Sequence, residues 1–337
     1  MEYEVQVRTG NYNPEILLPI WKDALPDLDE RRIRWSYKNN PYGQADLFLL
    51  NDTDKQNCFG SCIVLPRKYY CIGNELDGGI TIDFAIMKEY RSLGPAVKLQ
   101  KAITASKKYK TLIAFPNNKS VSVQIRSGYT ALGNMTRFIK MFRSANVLKR
   151  RYNPMVSTLA APVIDSFAKL KTFKLRTKRF KNYRVDKSVA RNLGHVWEEG
   201  KSQFDFSGDR SAEYLEWRFV QNPYRTYKIF SADDDNKETS GYIIYYIEDN
   251  IVYVDDFFCS NFNRDLEKLF NTFYLHCKAV SIDAVSVRML ENNTMSNFLD
   301  VQGFFKEQLD SKVLFFHEQR NILKDRNIFI TSGDSDF

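Results

Sequence analysis

The sequence has little of what holds metals and disulfides. Its five cysteines (Cys58, Cys62, Cys71, Cys259, Cys277) are odd in number, none sits in a C-x-x-C pair, and its three histidines are scattered. Free thiols are therefore expected, with neither a disulfide framework nor a metal site. Cys58 and Cys62, the one close pair, read as small buried hydrophobes. Also missing is any apolar run long enough to cross a bilayer, so no membrane insertion is expected. The start, Met1-Glu2-Tyr3-Glu4-Val5-Gln6, lacks the basic-then-apolar layout of a secretory signal, which makes a cytoplasmic location the expectation.

What is present fits a folded chain of two domains. The 337 residues are 43% hydrophobic and include 25 Phe and 19 Tyr, too apolar for disorder as the main state. Lys and Arg number 49 against 41 acidic residues, a net charge of +8 that favours anionic partners without choosing among nucleotides, coenzyme A and nucleic acid. Much of the excess lies between Lys169 and Arg184, where basic residues alternate with Leu170, Phe173, Leu175 and Phe180. That near-period of two predicts a strand with one basic face, either simply solvated or turned to phosphate.

The most specific segment runs from Ile80 to Ala96. A β-branched apolar run ends near Met87, and Arg91-x-x-Gly94-x-Ala96 opens a helix marked by Ala96, Leu99 and Ile103. Small residues at such a turn let backbone amides approach an anion. An ordinary strand, turn and helix with a glycine at the bend is the alternative. The segment resembles the acyl-CoA pyrophosphate loop of the GNAT acyltransferase superfamily, whose form is V-x-P-E-Y-R followed by Q/R-x-x-G-x-G/A. Ile86 stands for the Val, Lys88 replaces the Pro, and Glu89-Tyr90-Arg91 fits as written.

The chain also repeats itself. Trp35, Asn39 to Tyr42 and their surroundings recur as Trp217 with Gln221 to Tyr224, giving W-x-x-x-x-N-P-Y twice, 182 residues apart if counted from Trp to Trp, with Asn40-Pro41-Tyr42 matching Asn222-Pro223-Tyr224. Ile82-Asp83-Phe84 is matched by Asp255-Asp256-Phe257 at the end of a second β-rich run. Asn117 precedes Gly128-Tyr129 by the same eleven residues that separate Asn292 from Gly303-Phe304. The last spacing resembles the closing GNAT signature N-x-x-A-x-x-x-Y-x-x-x-G-F, so the resemblance covers both halves.

The expected fold is α/β: two tandem GNAT-like domains, each a mixed sheet flanked by helices, at residues 1–147 and 184–337. Residues 148–183 are expected to connect them through a helix from Pro154 to Lys171 and the basic strand. Tandem GNAT folds occur in N-myristoyltransferase-like proteins, in peptidoglycan-bridge aminoacyl transferases and in sugar-nucleotide N-acyltransferases, and the chain looks most like the last. The resemblance implies transfer of an acyl group from acyl-CoA to a nucleotide-linked amino sugar, such as a dTDP-3-amino-3,6-dideoxyhexose of bacterial surface glycans, in a cleft between the halves. Nucleic acid is then not an expected partner. The alternatives are an aminoacyl or peptidyl transferase that draws on charged tRNA, and a binding module on a degenerate GNAT frame.

By the same resemblance, Ile86 and Met87 run beside the pantetheine, and the amides of Arg91, Ser92, Leu93, Gly94, Pro95 and Ala96 surround the pyrophosphate, although Pro95 has no N–H to give. Asn117 stands where the strands splay, or else caps the helix that follows. The second half has Cys259 to Asp265 in place of the glycine turn and is expected to serve the acceptor. The family's acidic Tyr is absent, with Gln124 and Leu299 at the matching positions, and a thiolate of pKa about 8.5 can leave unaided. Asp83, its repeat Asp256, and His276 are the candidates for the base, with a purely structural acceptor as the other reading of the two aspartates. Trp217 and Tyr224 read as packing residues or as a platform for the nucleotide base.

Overall fold

The computed structural model describes residues 2–10, 12–55, 57–144, 178–189 and 192–335. The expected helix from Pro154 to Lys171 and the first part of the basic stretch lie outside the described residues. Within them, Lys178 to Lys181 are not extended ladder, and the strand occupies Asn182–Asp186.

The strands are β1 (Tyr3–Thr9), β2 (Asp46–Asp52), β3 (Asn57–Cys71), β4 (Asn74–Ile86), β5 (Thr111–Ala114), β6 (Thr130–Met141), β7 (Asn182–Asp186), β8 (Phe206–Gly208), β9 (Lys228–Asp233), β10 (Thr239–Glu248), β11 (Ile251–Cys259), β12 (Ala284–Leu290), β13 (Phe305–His317) and β14 (Ile328–Phe329). They form one mixed sheet in the order β1-β2-β3-β4-β5-β13-β6-β12-β11-β10-β9-β7, with β8 and β14 to the side. The order is a palindrome of the repeat. Each half contributes a parallel pair, β4 with β5 and β11 with β12, and the other neighbours along the path are antiparallel. At the centre, β6 of the first half pairs with β12, and β13 of the second half pairs with β5. The two halves thus exchange their last strands, and backbone hydrogen bonds run unbroken from one to the other.

The helices repeat as well. In the first half they are α1 (Pro14–Ala24), α2 (Glu30–Arg32), α3 (Leu93–Ala105) and α4 (Asn118–Arg126). In the second they are α5 (Asn192–Gly200), α6 (Ala212–Leu215), α7 (Phe262–Ala279) and α8 (Asn293–Val301). Short helices α2 and α6 each run on into a π-helical turn, Ile33–Lys38 and Glu216–Val220, and these turns carry Trp35 and Trp217. Asparagine caps recur: Asn117 accepts from the amides of Lys119 and Ser120, Asn261 from Arg264, and Asn292 from Met295. Two apolar cores result. The larger spans both halves, and the smaller packs α3 and α4 onto β2 to β5 through residues such as Phe48, Phe59, Leu99, Leu112 and Val123.

Candidate acyl-donor cleft

β4 and β5 run parallel only briefly, pairing Gly79 with Leu112, Ile80 with Ile113 and Thr81 with Ala114. Two local features end the ladder there. Pro116 follows on the β5 side and has no N–H to donate. On the β4 side, Asp83 and Phe84 form a bulge opposite Cys62, with Asp83 at a φ of 48°. Beyond the bulge β4 stays paired with β3 through Ala85 and Ile86, so the gap opens toward β5.

A cavity of about 480 Å³ fills this opening. Phe84, Ala85 and Ile86 form its strand wall, Arg91 to Leu93 and Ala96 its α3 wall, and Asn117, Lys119, Ser120, Ser122 and Val123 its α4 wall. The N-termini of two helices therefore converge on it. Ser92, at the cap of α3, makes no side-chain capping bond, which leaves the first amides of that helix without that partner. The lining residues include two cations, Arg91 and Lys119, and no carboxylate. Helix dipoles and side-chain charge agree in favouring an anion at the mouth and an apolar chain along the strand.

Six of the nine residues expected at the donor site line the cavity: Ile86, Arg91, Ser92, Leu93, Ala96 and Asn117. Met87 packs into the smaller core instead, and Pro95 is buried in the first turn of α3. Gly94 is not in the wall, and a Cβ built on it would come 3.1 Å from the Tyr3 hydroxyl. The Arg91 side chain holds the turn together. Its Nε donates to the carbonyl of Ile86 at 2.8 Å, and its guanidinium reaches Asp23, which also accepts from the Lys88 amide at 2.6 Å.

The three candidate bases lie elsewhere. Asp83 is buried in a two-point pair with Arg32, at 3.0 and 2.9 Å, and accepts from the Tyr37 hydroxyl at 2.6 Å. A carboxylate held this way is a structural acceptor, as is Asp256, which is clasped by Arg210 at 3.0 to 3.2 Å and accepts from Thr331 and Tyr242. Burial raises the Asp256 carboxyl above the usual range, against the pull of Arg210. Asp334 completes that cluster between Arg67 and Arg210; burial works to raise it, but the two guanidiniums hold it below the ordinary value. His276 packs among Tyr183, Phe230 and Phe273 on the second half, and burial, with Lys228 adding to it, depresses its pKa. All three side chains are engaged in pairing or packing contacts, and none of them lines the cavity.

Trp217 and Tyr224 are engaged too. Trp217 stacks on Trp35, and Tyr224 donates to Asp29 at 2.9 Å with the Arg31 guanidinium over its ring. These contacts join the two halves, as the packing reading of the two residues expects, and neither residue lines the cavity between β4 and β5.

In the second half the corresponding gap between β11 and β12 opens beyond Val254 and Val287. The chain's own C-terminal segment runs into it: the Leu290 amide donates to the carbonyl of Ile330 at 2.9 Å, and Met289 bridges Thr331. Phe329, fully buried, packs on Phe204, Phe257 and Phe262. A second cavity of about 490 Å³ remains outside this plug, lined by the starts of α7 and α8 and by Asn327, with no cation in its wall. Sequence reasoning missed the plug because nothing local distinguishes residues 328–334 from an ordinary tail.

No family model and no curated protein sequence matches the chain. Solved structures do. A conserved protein from Enterococcus faecalis V583, described as a probable N-acyltransferase, aligns over 95% of this chain and 74% of its own with a TM-score of 0.67 and 11% identity. A GCN5-related N-acetyltransferase from Anabaena variabilis gives a TM-score of 0.62 at 14% identity, over 93% and 72%. Saccharomyces cerevisiae N-myristoyltransferase, solved with bound myristoyl-CoA, gives 0.55 at 11%, over 93% and 79%. At such low identity the likeness is one of fold, and the fold is that of the GNAT acyltransferases, including N-myristoyltransferase.

Proposed function

We propose that the protein is an acyl-CoA-dependent N-acyltransferase. The observation that carries this reading is the basic cleft between β4 and β5, where two helix N-termini, Arg91 and Lys119 face an opening that continues along an apolar strand edge. A pyrophosphate at the mouth and a pantetheine arm along Phe84 to Ile86 suit those walls. Residues 1–147 hold the donor and residues 184–337 serve the acceptor, with 148–183 connecting them. Two observations support that division: the second gap is filled by residues 328–334, and its residual cavity lacks cations.

In the reaction the amine attacks the thioester carbonyl, an amide C–N bond forms, the C–S bond breaks, and the amine proton ends on the departing thiolate. Because Asp83 and Asp256 are tied to arginines, the amine arrives neutral and no carboxylate base is assigned. A thiolate with a pKa of about 8.5 accepts the proton readily near neutral pH. The bulge at Asp83–Phe84 takes backbone out of the ladder beside the cavity, and an N–H freed there is the group we assign to the thioester oxygen. The acceptor we propose is the amino group of a nucleotide-linked amino sugar, including dTDP-linked 3-amino-3,6-dideoxyhexoses; the sequence resemblance supports it.

Calorimetric titration with coenzyme A tests the donor half. Binding by the wild type, weakened in Lys119→Glu and lessened by added salt, is the expected result. Absence of binding would remove the acyl-CoA-dependent reading and favour a tRNA-dependent transferase or a binding module. A thermal-shift screen with UDP-, GDP- and dTDP-amino sugars then tests the acceptor.

A further inference from the structure

Asp23 is a carboxylate in a place that its own helix does not favour. It sits in the last turn of α1, where free carbonyls make the helix end partly negative and a cation is the stabilising choice. Its partners lie in the turn before α3. Asp23 Oδ2 accepts from the Lys88 amide at 2.6 Å and from the Arg91 guanidinium at 3.3 Å. A side chain of α1 thus takes one backbone N–H and one guanidinium at the turn, the same kinds of donor that a phosphate uses.

The cavity shows what Asp23 acts on. Arg91 lines it, and so do Ala24 and Leu25, the two residues that follow Asp23, whereas Asp23 itself stands outside the wall. Arg91 is also anchored from the other side: its Nε donates to the carbonyl of Ile86 at 2.8 Å, which leaves the outer end of the fork to face either Asp23 or a ligand. That outer pair is wet, with the arginine side chain 48% and the aspartate 33% exposed. Exposed pairs contribute little, so a phosphate, with its greater charge, displaces such a carboxylate readily. Lys119, the second cation of the wall, makes no ion pair among the described residues, and the competition is for Arg91.

We propose that Asp23 is a positioning residue that holds Arg91 in the empty cleft and yields it to the donor's pyrophosphate, and that its charge weakens the hold on coenzyme A, loaded and spent alike. The inference rests on the acyltransferase reading and adds a residue that acts on that site from outside its wall. Two anions beside one guanidinium repel each other, and a product that must leave after each turnover gains from the weaker hold.

Calorimetry with coenzyme A on the full chain tests this. Asp23→Asn keeps an acceptor for the Lys88 amide and drops the charge, so it should bind about fivefold more tightly than the wild type, which is what one charge pair a few ångströms apart is worth in water. A purely bracing role predicts the opposite sign, because a loosened turn binds less well. In an Arg91→Met background the same substitution should gain nothing. Equal or weaker binding by Asp23→Asn overturns the proposal, and so does an equal gain without Arg91. A crystal structure of the wild type with coenzyme A decides even where a variant fails to fold or bind: Arg91 should have exchanged Asp23 for a phosphate oxygen, and an intact Asp23–Arg91 pair beside bound coenzyme A overturns the proposal. If neither the wild type nor Asp23→Asn binds coenzyme A, the acyl-CoA-dependent reading falls along with the proposal; if both bind alike, only the proposal falls.

Discussion

Trp35 and Trp217 donate their indole N–H groups to each other's backbone carbonyls, at 2.9 and 3.0 Å, with their rings stacked 5.5 Å apart. They are equivalent residues of the two repeats, and they meet where the π-helical turns of the two halves face one another. The duplication thus builds its own clasp, since one indole solves the packing and hydrogen-bond needs of its copy. Truncating Trp217→Ala should cost about 3–5 kcal/mol, the usual range for a buried tryptophan. Urea unfolding of the two single variants and the double variant should show strong non-additivity, because each mutation removes the same pair of bonds. Additive losses would mean that the residues act separately.

Asp83→Asn should act on stability before it acts on turnover. It leaves the Arg32 guanidinium, 3% exposed, without its counter-charge, which typically costs about 3–5 kcal/mol. Combining it with Arg32→Met should recover much of the loss in a urea titration. A variant of unchanged stability but collapsed turnover would restore Asp83 as the base.

Phe329→Ala should loosen the C-terminal plug. The ring is fully buried against Phe204, Phe257 and Phe262, and its loss should lower stability by about 3–5 kcal/mol. Hydrogen exchange should then speed at Leu290 and its neighbours, whose amides depend on the inserted segment. Coenzyme A affinity should persist, since the cavity between β4 and β5, the proposed donor site, lies in the other half. Lost affinity would argue that the second gap is the donor site.

His276 predicts a pH effect of known sign. Burial lowers its pKa in the folded state, so below about pH 6.5 the unfolded chain binds more protons there. Stability contributed by the neutral ring is present above that pH and is lost as pH falls through the folded value. Between pH 7 and 5 the urea midpoint of the wild type should drop more than that of His276→Gln. Parallel curves would show that the ring is indifferent to its setting, which includes Lys228 and the Tyr245 hydroxyl 3.4 Å away.

Much of the lining of the candidate cleft was legible in the chain. The turn from Arg91 to Ala96 and the capping Asn117 are local features, because a helix start depends on residues within a turn of it. Six residues expected there do line the cavity. The partners of the two aspartates were not legible, because recurrence of an aspartate shows that it matters without showing to what. Asp83 meets Arg32 across 51 residues and Asp256 meets Arg210 across 46, and no local pattern reports such partners.

By itself the sequence determined the duplication, the strand-turn-helix units and the places where helices begin, all of which follow from periodicity and short-range hydrogen bonding. Only the tertiary structure decided that β6 and β13 change places at the centre of the sheet and that residues 328–334 enter the second gap. The reason is physical. A strand's pattern says which face is buried, but any exposed edge can satisfy its backbone, so the choice of edge rests on the packing of the whole chain. That choice leaves one gap open, with Arg91 and Lys119 in its wall, and fills its twin, which makes two similar halves unlike at the corresponding place.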